Sequence, residues 1–138
     1  MSKLIEQLKR HEGLRLKPYR CTAGKLTIGY GRNIDDKGIT EIEAEDLLYH
    51  DIKECERALY TKLPKLMDEL NQARRDVLIN MAFNLGINGL LKFKMMISAL
   101  DNNDYKEACW QMLDSRWARQ VGERANELSE QMRTGKYL

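Results

Sequence analysis

Three side chains that can take part in acid–base chemistry lie close together near the start of the chain. Eight residues separate Glu12 from Cys21, and five more separate Cys21 from Thr27. A carboxyl group can deliver a proton, a thiol can supply a thiolate base or nucleophile, and a hydroxyl can hold a water molecule. This segment is therefore a candidate for catalytic chemistry.

The local sequence predicts a helix and then a small sheet as the elements that position these side chains. Apolar residues at helical spacing precede Glu12, and Gly13 directly after it is typical of a helix stop. Residues 25–31 alternate as a strand does, and a turn at residues 23–24 precedes them. These patterns predict Glu12 at a helix end and Thr27 within a hairpin or a three-stranded sheet.

A long helix is predicted to begin after this sheet. Residues 35–38 have the composition of a turn, and Thr40 with Glu43 three residues later forms a capping-box signature. An apolar seam along the helix follows the i, i+4, i+7, i+11 spacing of a buried face. The seam consists of Leu48, Ile52, Cys55 and Leu59.

Four further helical segments are predicted in the last two thirds of the chain. They cover residues 71–85, 90–100, 105–117 and 122–132. The first of them is almost continuously apolar, which predicts burial on all sides, and Gly86 and Gly89 are expected to end it.

Large side chains on these helices are expected to pack in the core. Trp110 and Trp117 are seven residues apart, a helical spacing that places both on one face. Methionine commonly fills irregular gaps in an interior. The same role is therefore predicted for Met81, Met95, Met96 and Met112.

The order of these elements indicates the α+β class, with one small β element followed by helices. The chain has 138 residues, which suits a single domain. We expect a β lobe over residues 14–36 and a helical lobe over residues 39–138, to which the N-terminal helix at residues 2–12 is added.

Composition and charge exclude several classes of function. There are 23 Lys and Arg against 21 Asp and Glu, giving a net charge of +2, and the two signs are interspersed. This distribution argues against a nucleic-acid partner. No segment has the roughly 20 apolar residues of a membrane span, and the N-terminus lacks the apolar run of a signal peptide.

Neither a disulfide framework nor a metal or cofactor site is indicated. The 3 cysteines are far apart and include no C-x-x-C pair, so they are expected to be reduced thiols. The 2 histidines are isolated, and the acidic turn at residues 35–36 lacks the calcium-loop pattern. No phosphate loop or nucleophile elbow is present. The sequence therefore predicts chemistry without a metal or a cofactor.

The spacing of Glu12, Cys21 and Thr27 resembles the signature of the phage-type lysozymes, which are the endolysins or muramidases. That signature has Glu, eight residues, Asp or Cys, five residues and Thr. Cys is the rarer option at the second position, and the stretch between Ile34 and Gly38 is shorter here than in the best-known members. Further matches occur in family order at residues 40–45, 74–75 with 80–86, 115–117 and 133–135.

The resemblance implies a lysozyme-like fold in which a small β lobe packs on a larger helical lobe with a cleft between them. It implies hydrolysis of the β-1,4 bond between N-acetylmuramic acid and N-acetylglucosamine in peptidoglycan, and lysis of the host cell. Glu12 would be the general acid and Thr27 would hold the attacking water. The expected substrate-binding residues are Phe83, Asn84, Gln111 and Arg133, of which Arg133 is also expected to approach Glu12.

The role of Cys21 is open among three alternatives. It could act as a thiolate base or nucleophile, as a neutral thiol that positions water together with Thr27, or as a small residue that fills a gap. A thiol with its reference pKa of about 8.5 is only slightly ionised at neutral pH. Catalysis by Cys21 therefore needs surroundings that favour the thiolate, to which Arg15, Lys17 and Arg20 could contribute.

Two other functions also fit a chain with these features. A module could bind peptidoglycan without cutting it, and a lytic transglycosylase would use one acid and no activated water. The retained Thr27 favours hydrolysis over the second of these. The expected partner is the glycan strand alone, and the protein is expected to be a monomer that accumulates in the host cytoplasm and reaches the wall through a separate pore-former.

Overall fold

The computed structural model describes residues 2–138, which contain one small sheet and a series of helices. These residues form two compact units, one that extends to Leu47 and one over Leu48–Leu138. In chain order the elements are α1 Ser2–Glu12, β1 Arg15–Arg20, β2 Leu26–Gly29, β3 Arg32–Asn33, α2 Ile34–Lys37, α3 Glu41–Lys62, α4 Pro64–Glu69, α5 Gln72–Leu91, α6 Lys94–Asp101, α7 Tyr105–Leu113, α8 Arg116–Val121 and α9 Glu123–Thr134. The predicted α+β class is confirmed.

The sheet of the first unit is antiparallel and has the strand order β1-β2-β3. Thr27 on the central strand lies opposite Tyr19 on β1 and opposite Asn33 on β3. The register between β1 and β2 shifts between Arg15 and Tyr19. Pro18 lies in that stretch, and its missing N–H cannot contribute to the ladder. The predicted three-stranded sheet is confirmed.

Helix α1 ends at Glu12, as the sequence predicts. Gly13 has a φ of 72°, in the left-handed region that favours glycine. Its N–H donates to the carbonyl of Lys9 at 2.9 Å and so closes the last turn of the helix.

The predicted turn at residues 35–38 is instead a single helical turn, α2. The Asn33 side chain accepts a hydrogen bond from the N–H of Asp36 at 3.1 Å and caps this turn. The N–H of Gly38 donates to the carbonyl of Ile34 at 3.0 Å. An Asx cap thus adds helical hydrogen bonding to a segment whose composition indicates only a turn.

The capping box at the start of α3 is confirmed in both directions. The N–H of Thr40 donates to Glu43 Oε1 at 2.9 Å, and the N–H of Glu43 donates to Thr40 Oγ1 at 3.1 Å. Arg32 on β3 also pairs with the Glu43 carboxylate at 2.6 Å. The N–H of Thr40 and the Arg32 guanidinium hold the pKa of Glu43 below its usual value. This carboxylate therefore ties the start of α3 to the sheet.

The second unit is built around an apolar core of helices. Its central side chains are almost completely buried, and they are Leu59, Met67, Val77, Leu78, Met81, Leu90, Met96, Leu100, Met112 and Met132. Of the predicted seam on α3, Leu59 is buried and Ile52 and Cys55 pack partly against the core. Leu48 is 47% exposed and lines a surface groove, so its predicted burial is wrong.

Helix α5 departs from its prediction in two respects. Gly86 interrupts it with a φ of 78° and a ψ of 158°, but the helix resumes and includes Gly89 before it ends at Leu91. Phe83 is 45% exposed, so the helix is not buried on all sides. Helix α5 carries more apolar side chains than the neighbouring helices cover.

The segment over residues 105–117 contains two helices rather than one. Ser115 separates them, because its hydroxyl accepts a hydrogen bond from the N–H of Ala118 at 3.1 Å and caps α8. Trp110 and Trp117 therefore lie on different helices, and their spacing no longer implies a shared face. Trp117 is 3% exposed, whereas Trp110 is 56% exposed, so core packing is confirmed only for Trp117.

The four methionines predicted in the core also differ in burial. Met81, Met96 and Met112 are fully buried, as predicted, but Met95 is 65% exposed. The predicted helix over residues 90–100 is interrupted between Leu91 and Lys94, and Met95 lies in the first turn of the new helix α6. Met95 and Met96 are consecutive on α6 and project about 100° apart, so Met96 faces the core and Met95 does not.

Candidate active site

The Glu12 carboxyl group lies against the backbone of Gly31. Gly31 belongs to the turn between β2 and β3 and has a φ of 73°. A Cβ atom at this position would lie only 2.8 Å from Glu12 Cδ, so any larger residue would displace the Glu12 carboxyl group from this contact. The end of α1 thus brings the predicted acid to one end of the hairpin, where its side chain is exposed.

Thr27 is the buried polar residue of the central strand and is 3% exposed. Its hydroxyl donates a hydrogen bond to the carbonyl of Lys25 at 2.9 Å. The oxygen lone pairs then face other partners, so this hydroxyl can accept a hydrogen bond from a water molecule.

Cys21 follows β1 directly and begins a tight turn. Its N–H donates to the Lys25 carbonyl at 3.0 Å, and its own carbonyl accepts from the N–H of Gly24 at 2.8 Å. The backbone N–H groups of Lys25 and Ala23 lower the pKa of the partly exposed thiol, with a smaller contribution from the Thr27 hydroxyl. These donors favour the thiolate, and they come from the turn rather than from the nearby cationic side chains.

One carbonyl group organises this part of the site. Both the N–H of Cys21 and the hydroxyl of Thr27 donate to Lys25. Gly31, which Glu12 contacts, lies in the turn between β2 and β3, at the other end of β2 from this carbonyl. The structure therefore places Cys21 and Thr27 together and brings Glu12 to another turn of the same sheet.

The four predicted substrate-binding residues lie in the second unit, and each has different surroundings. Phe83 lines a groove of about 450 Å³. Gln111 lines another, of about 430 Å³, and its amide donates to Glu107 Oε1 at 2.9 Å. Asn84 Oδ1 accepts a hydrogen bond from Trp117 Nε1 at 2.9 Å and so helps to hold the buried indole.

Arg133 forms a two-point ion pair with Glu130 on its own helix. Its Nε donates to Glu130 Oε2 at 3.0 Å, and Nη2 donates to the other carboxylate oxygen. This pairing lowers the pKa of Glu130. The approach of Arg133 to Glu12 stays a prediction.

Arg124 lines the same groove as Phe83 and adds a cation to it. No sequence motif marks this arginine. Its Nε and Nη2 donate to Asn80 Oδ1 at 3.1 and 2.7 Å. A lone arginine in a helix has no distinguishing spacing, so only the tertiary structure reveals its position beside Phe83.

Within residues 2–138 no group of three or more His, Cys, Asp or Glu side chains is arranged to hold a metal ion. None of the helices in the described part of the chain combines the length and the apolar character needed to cross a membrane.

A carboxylic acid, a thiol and a hydroxyl on one small sheet include the proton donor that a glycoside hydrolase needs. Comparison with known proteins agrees, because the family model described as phage lysozyme matches residues 9–134, a range that includes every predicted site residue. The chain belongs to the phage lysozyme family.

Individual relatives include both free lysozymes and part of a larger protein. The chain is 36% identical over 105 residues to an endolysin of Acyrthosiphon pisum secondary endosymbiont phage 1, covering 73% of this chain and 68% of that protein. It is 28% identical over 163 residues to probable T4-type lysozyme 1 of Dictyostelium discoideum, covering 98% and 96%. It is 30% identical over 159 residues to the pre-baseplate central spike protein Gp5 of Enterobacteria phage T4, covering 96% of this chain but 28% of that protein.

Proposed function

We propose that this chain hydrolyses the β-1,4 bond between N-acetylmuramic acid and N-acetylglucosamine in bacterial peptidoglycan and thereby lyses the host cell. The observation that carries the proposal is the arrangement on one small sheet of Glu12, held against Gly31, and of Cys21 and Thr27, held on the Lys25 carbonyl. Family membership supplies the substrate class.

Cleavage needs a proton for the leaving oxygen and a nucleophile at the sugar carbon. In the proposed reaction, protonated Glu12 gives its proton to the glycosidic oxygen as the bond to the sugar carbon breaks. A water oxygen forms the new bond to that carbon, and Cys21 takes up the water proton. Thr27 accepts a hydrogen bond from the second water proton and so directs the water lone pair at the sugar.

The proposed base is the Cys21 thiolate, which the turn N–H groups stabilise. A thiolate that takes up the water proton leaves water as the nucleophile, and this water attacks the anomeric carbon on the face opposite the leaving oxygen. We therefore expect a single displacement with inversion at the anomeric carbon.

Glu12→Gln tests the proposed acid. We expect the clearing of purified peptidoglycan to slow by about 10²- to 10⁴-fold, the usual contribution of general acid catalysis. Glu6→Gln is the matched control, because Glu6 lies on the same helix in an exposed pair with Lys9 at 3.8 Å. Equal activity of wild type and Glu12→Gln would overturn the assignment.

The same assay separates the alternative functions. Protein that pellets with peptidoglycan without clearing it would be a binding module. An anhydro-muramic product in mass spectra would indicate a lytic transglycosylase, which forms this product without water.

Substitutions of Cys21 distinguish its three possible roles. If Cys21 is the base, Cys21→Ala should be nearly inactive, and Cys21→Asp should be active with an inverted product. NMR of the released sugar measures the configuration of the product. A neutral water-positioning thiol predicts that Cys21→Ser keeps substantial activity. A gap-filling residue predicts that Cys21→Ala remains active, an outcome that would exclude the proposed base.

The remaining expectations complete the proposal. Phe83, Asn84, Gln111 and Arg133 contribute to glycan binding, so their alanine variants should raise KM more than they lower kcat. The chain acts as a monomer and as one lysozyme-like domain, without a nucleic-acid partner or stable membrane insertion. It reaches the wall from the host cytoplasm through a pore formed by a separate protein.

A further inference from the structure

Asp35 on α2 completes the hydrogen bonding of the central strand. Strand β3 pairs with β2 only through Asn33 opposite Thr27 and Arg32 opposite Ile28, so it ends before it reaches the level of Leu26. Asp35 Oδ2 accepts the hydrogen bond of the Leu26 N–H at 2.6 Å. A carboxylate thus occupies the place that a backbone carbonyl would have in a longer strand.

The peptide group that Asp35 binds is also the one that holds two site residues. The N–H of Leu26 and the carbonyl of Lys25 belong to a single peptide group. That carbonyl accepts hydrogen bonds from the Cys21 N–H at 3.0 Å and from the Thr27 hydroxyl at 2.9 Å. A chain of hydrogen bonds therefore runs from the Asp35 carboxylate through this peptide group to the Thr27 hydroxyl.

A charged acceptor strengthens such a chain. Hydrogen bonds to an ionised group are stronger than neutral ones, and consecutive hydrogen bonds polarise one another. An anion on the N–H draws electron density towards the carbonyl oxygen of the same peptide group. The Lys25 carbonyl becomes a better acceptor for the hydroxyl proton of Thr27.

The direction of that proton matters for the attacking water. Thr27 has a single hydroxyl proton, which can be donated either to the Lys25 carbonyl or to the Cys21 sulfur. Donation to Lys25 leaves the hydroxyl oxygen as an acceptor for one water proton and leaves the Cys21 thiolate available to take up the other. Donation to the thiolate would occupy a sulfur lone pair that could otherwise accept the water proton.

We propose that Asp35 is a positioning residue for hydrolysis, which acts through the peptide group between Lys25 and Leu26 to keep Thr27 as a hydrogen-bond acceptor for the attacking water. The inference rests on the proposed function. Asp35 itself touches neither water nor sugar in this scheme.

The neighbouring residue Asp36 provides a matched control. It lies on the same helical turn and pairs with the Lys25 side chain at 3.0 Å, but its hydrogen bonds do not reach the backbone of residues 25–27. Asp36→Asn removes the same charge from the same turn. Asp35 also lies 3.6 Å from Arg20, a surface pair whose loss we expect to matter little.

The kinetic test uses Asp35→Asn, Asp36→Asn and the double variant Asp35→Asn/Thr27→Ala. We expect Asp35→Asn to lower kcat about tenfold with KM within about twofold, less than for a displaced catalytic group because Asp35 acts only through Thr27. Asp36→Asn should stay within about twofold of wild type. Asp35→Asn should have no further effect in a chain that already carries Thr27→Ala. Equal losses in the two aspartate variants, or an Asp35→Asn loss that multiplies with that of Thr27→Ala, would overturn the inference.

A measurement that does not require activity tests the contact itself. The Leu26 amide proton should resonate downfield in the wild-type NMR spectrum and move upfield in Asp35→Asn much more than in Asp36→Asn. An unchanged Leu26 resonance in Asp35→Asn would refute the inference even in an active enzyme. Failure of wild type to cleave peptidoglycan would instead refute the proposed function, whatever the amide shows.

Discussion

The two units of this molecule hold their residues in different ways. Among residues 2–47 only Thr27 is buried, and the proposed site is positioned by backbone hydrogen bonds, a helix stop and close contact with a glycine. The second unit is positioned by an apolar core that includes Leu78 and Met81. Hydrogen-bond direction therefore sets the geometry of the proposed chemistry in the first unit, whereas burial in the second unit provides most of the stability.

The largest expected effect lies in the core of the second unit. Leu78 is fully buried, so Leu78→Ala should lower the free energy of unfolding by about 3–4 kcal/mol through lost burial and a new cavity. Leu16 on β1 is 80% exposed, so Leu16→Ala should change the free energy of unfolding by less than about 0.5 kcal/mol. Urea unfolding measures both, and similar losses would contradict the difference between the units.

A smaller effect, on activity, is expected at the Glu12 contact. Gly31→Ala places a Cβ against the Glu12 carboxyl and should slow peptidoglycan clearing about a hundredfold, the scale of a displaced catalytic group. Gly29→Ala is the control, because Gly29 has a similar φ of 71° but no atom within 4 Å of an added Cβ. If both variants lose activity equally, backbone strain and not the Glu12 contact explains the loss.

The two tryptophans offer a comparison within the second unit. Trp117→Phe removes the hydrogen bond to Asn84 and some buried volume, so we expect a loss of about 1–2 kcal/mol of stability. Trp110→Phe should have almost no effect, because the Trp110 side chain is 56% exposed. Thermal unfolding of the two variants checks this, and a larger effect at Trp110 would argue that its surface is covered.

The smallest effect concerns the thiols. The pKa of Cys21 is lowered by turn N–H groups, whereas burial raises the pKa of Cys55. The thiolate reacts with iodoacetamide, so as pH rises Cys21 should begin to be alkylated at a lower pH than Cys55. Peptide mass spectrometry across a pH series measures both rates in one sample, and alkylation of Cys55 first would reverse the predicted order.

Local patterns in the sequence predicted the first unit well. The stop after Glu12 and the capping box of Thr40 with Glu43 depend on residues within a few positions of each other, and both are confirmed. The sequence did not predict what lowers the pKa of Cys21, because the hydrogen-bond donors are backbone N–H groups oriented by a turn. The role proposed for Asp35 likewise depends on where β3 ends.

Periodicity predicted less in the second unit. It identified apolar helix faces but not which part of each face is covered, so Leu48, Met95 and Trp110 were wrongly expected in the core. The interruption at Ser115 and the continuation of α5 through Gly89 each changed the face that later residues present.

The α+β class, the family and the residues of the proposed site follow from the linear sequence, because a short motif and local capping patterns encode them. Three features emerge only in the folded chain: Glu12 meets Gly31, Arg124 shares a groove with Phe83, and Asp35 reaches the peptide group next to Thr27. These contacts join residues from different elements. Their geometry depends on how strands and helices pack, and a linear pattern does not contain that information.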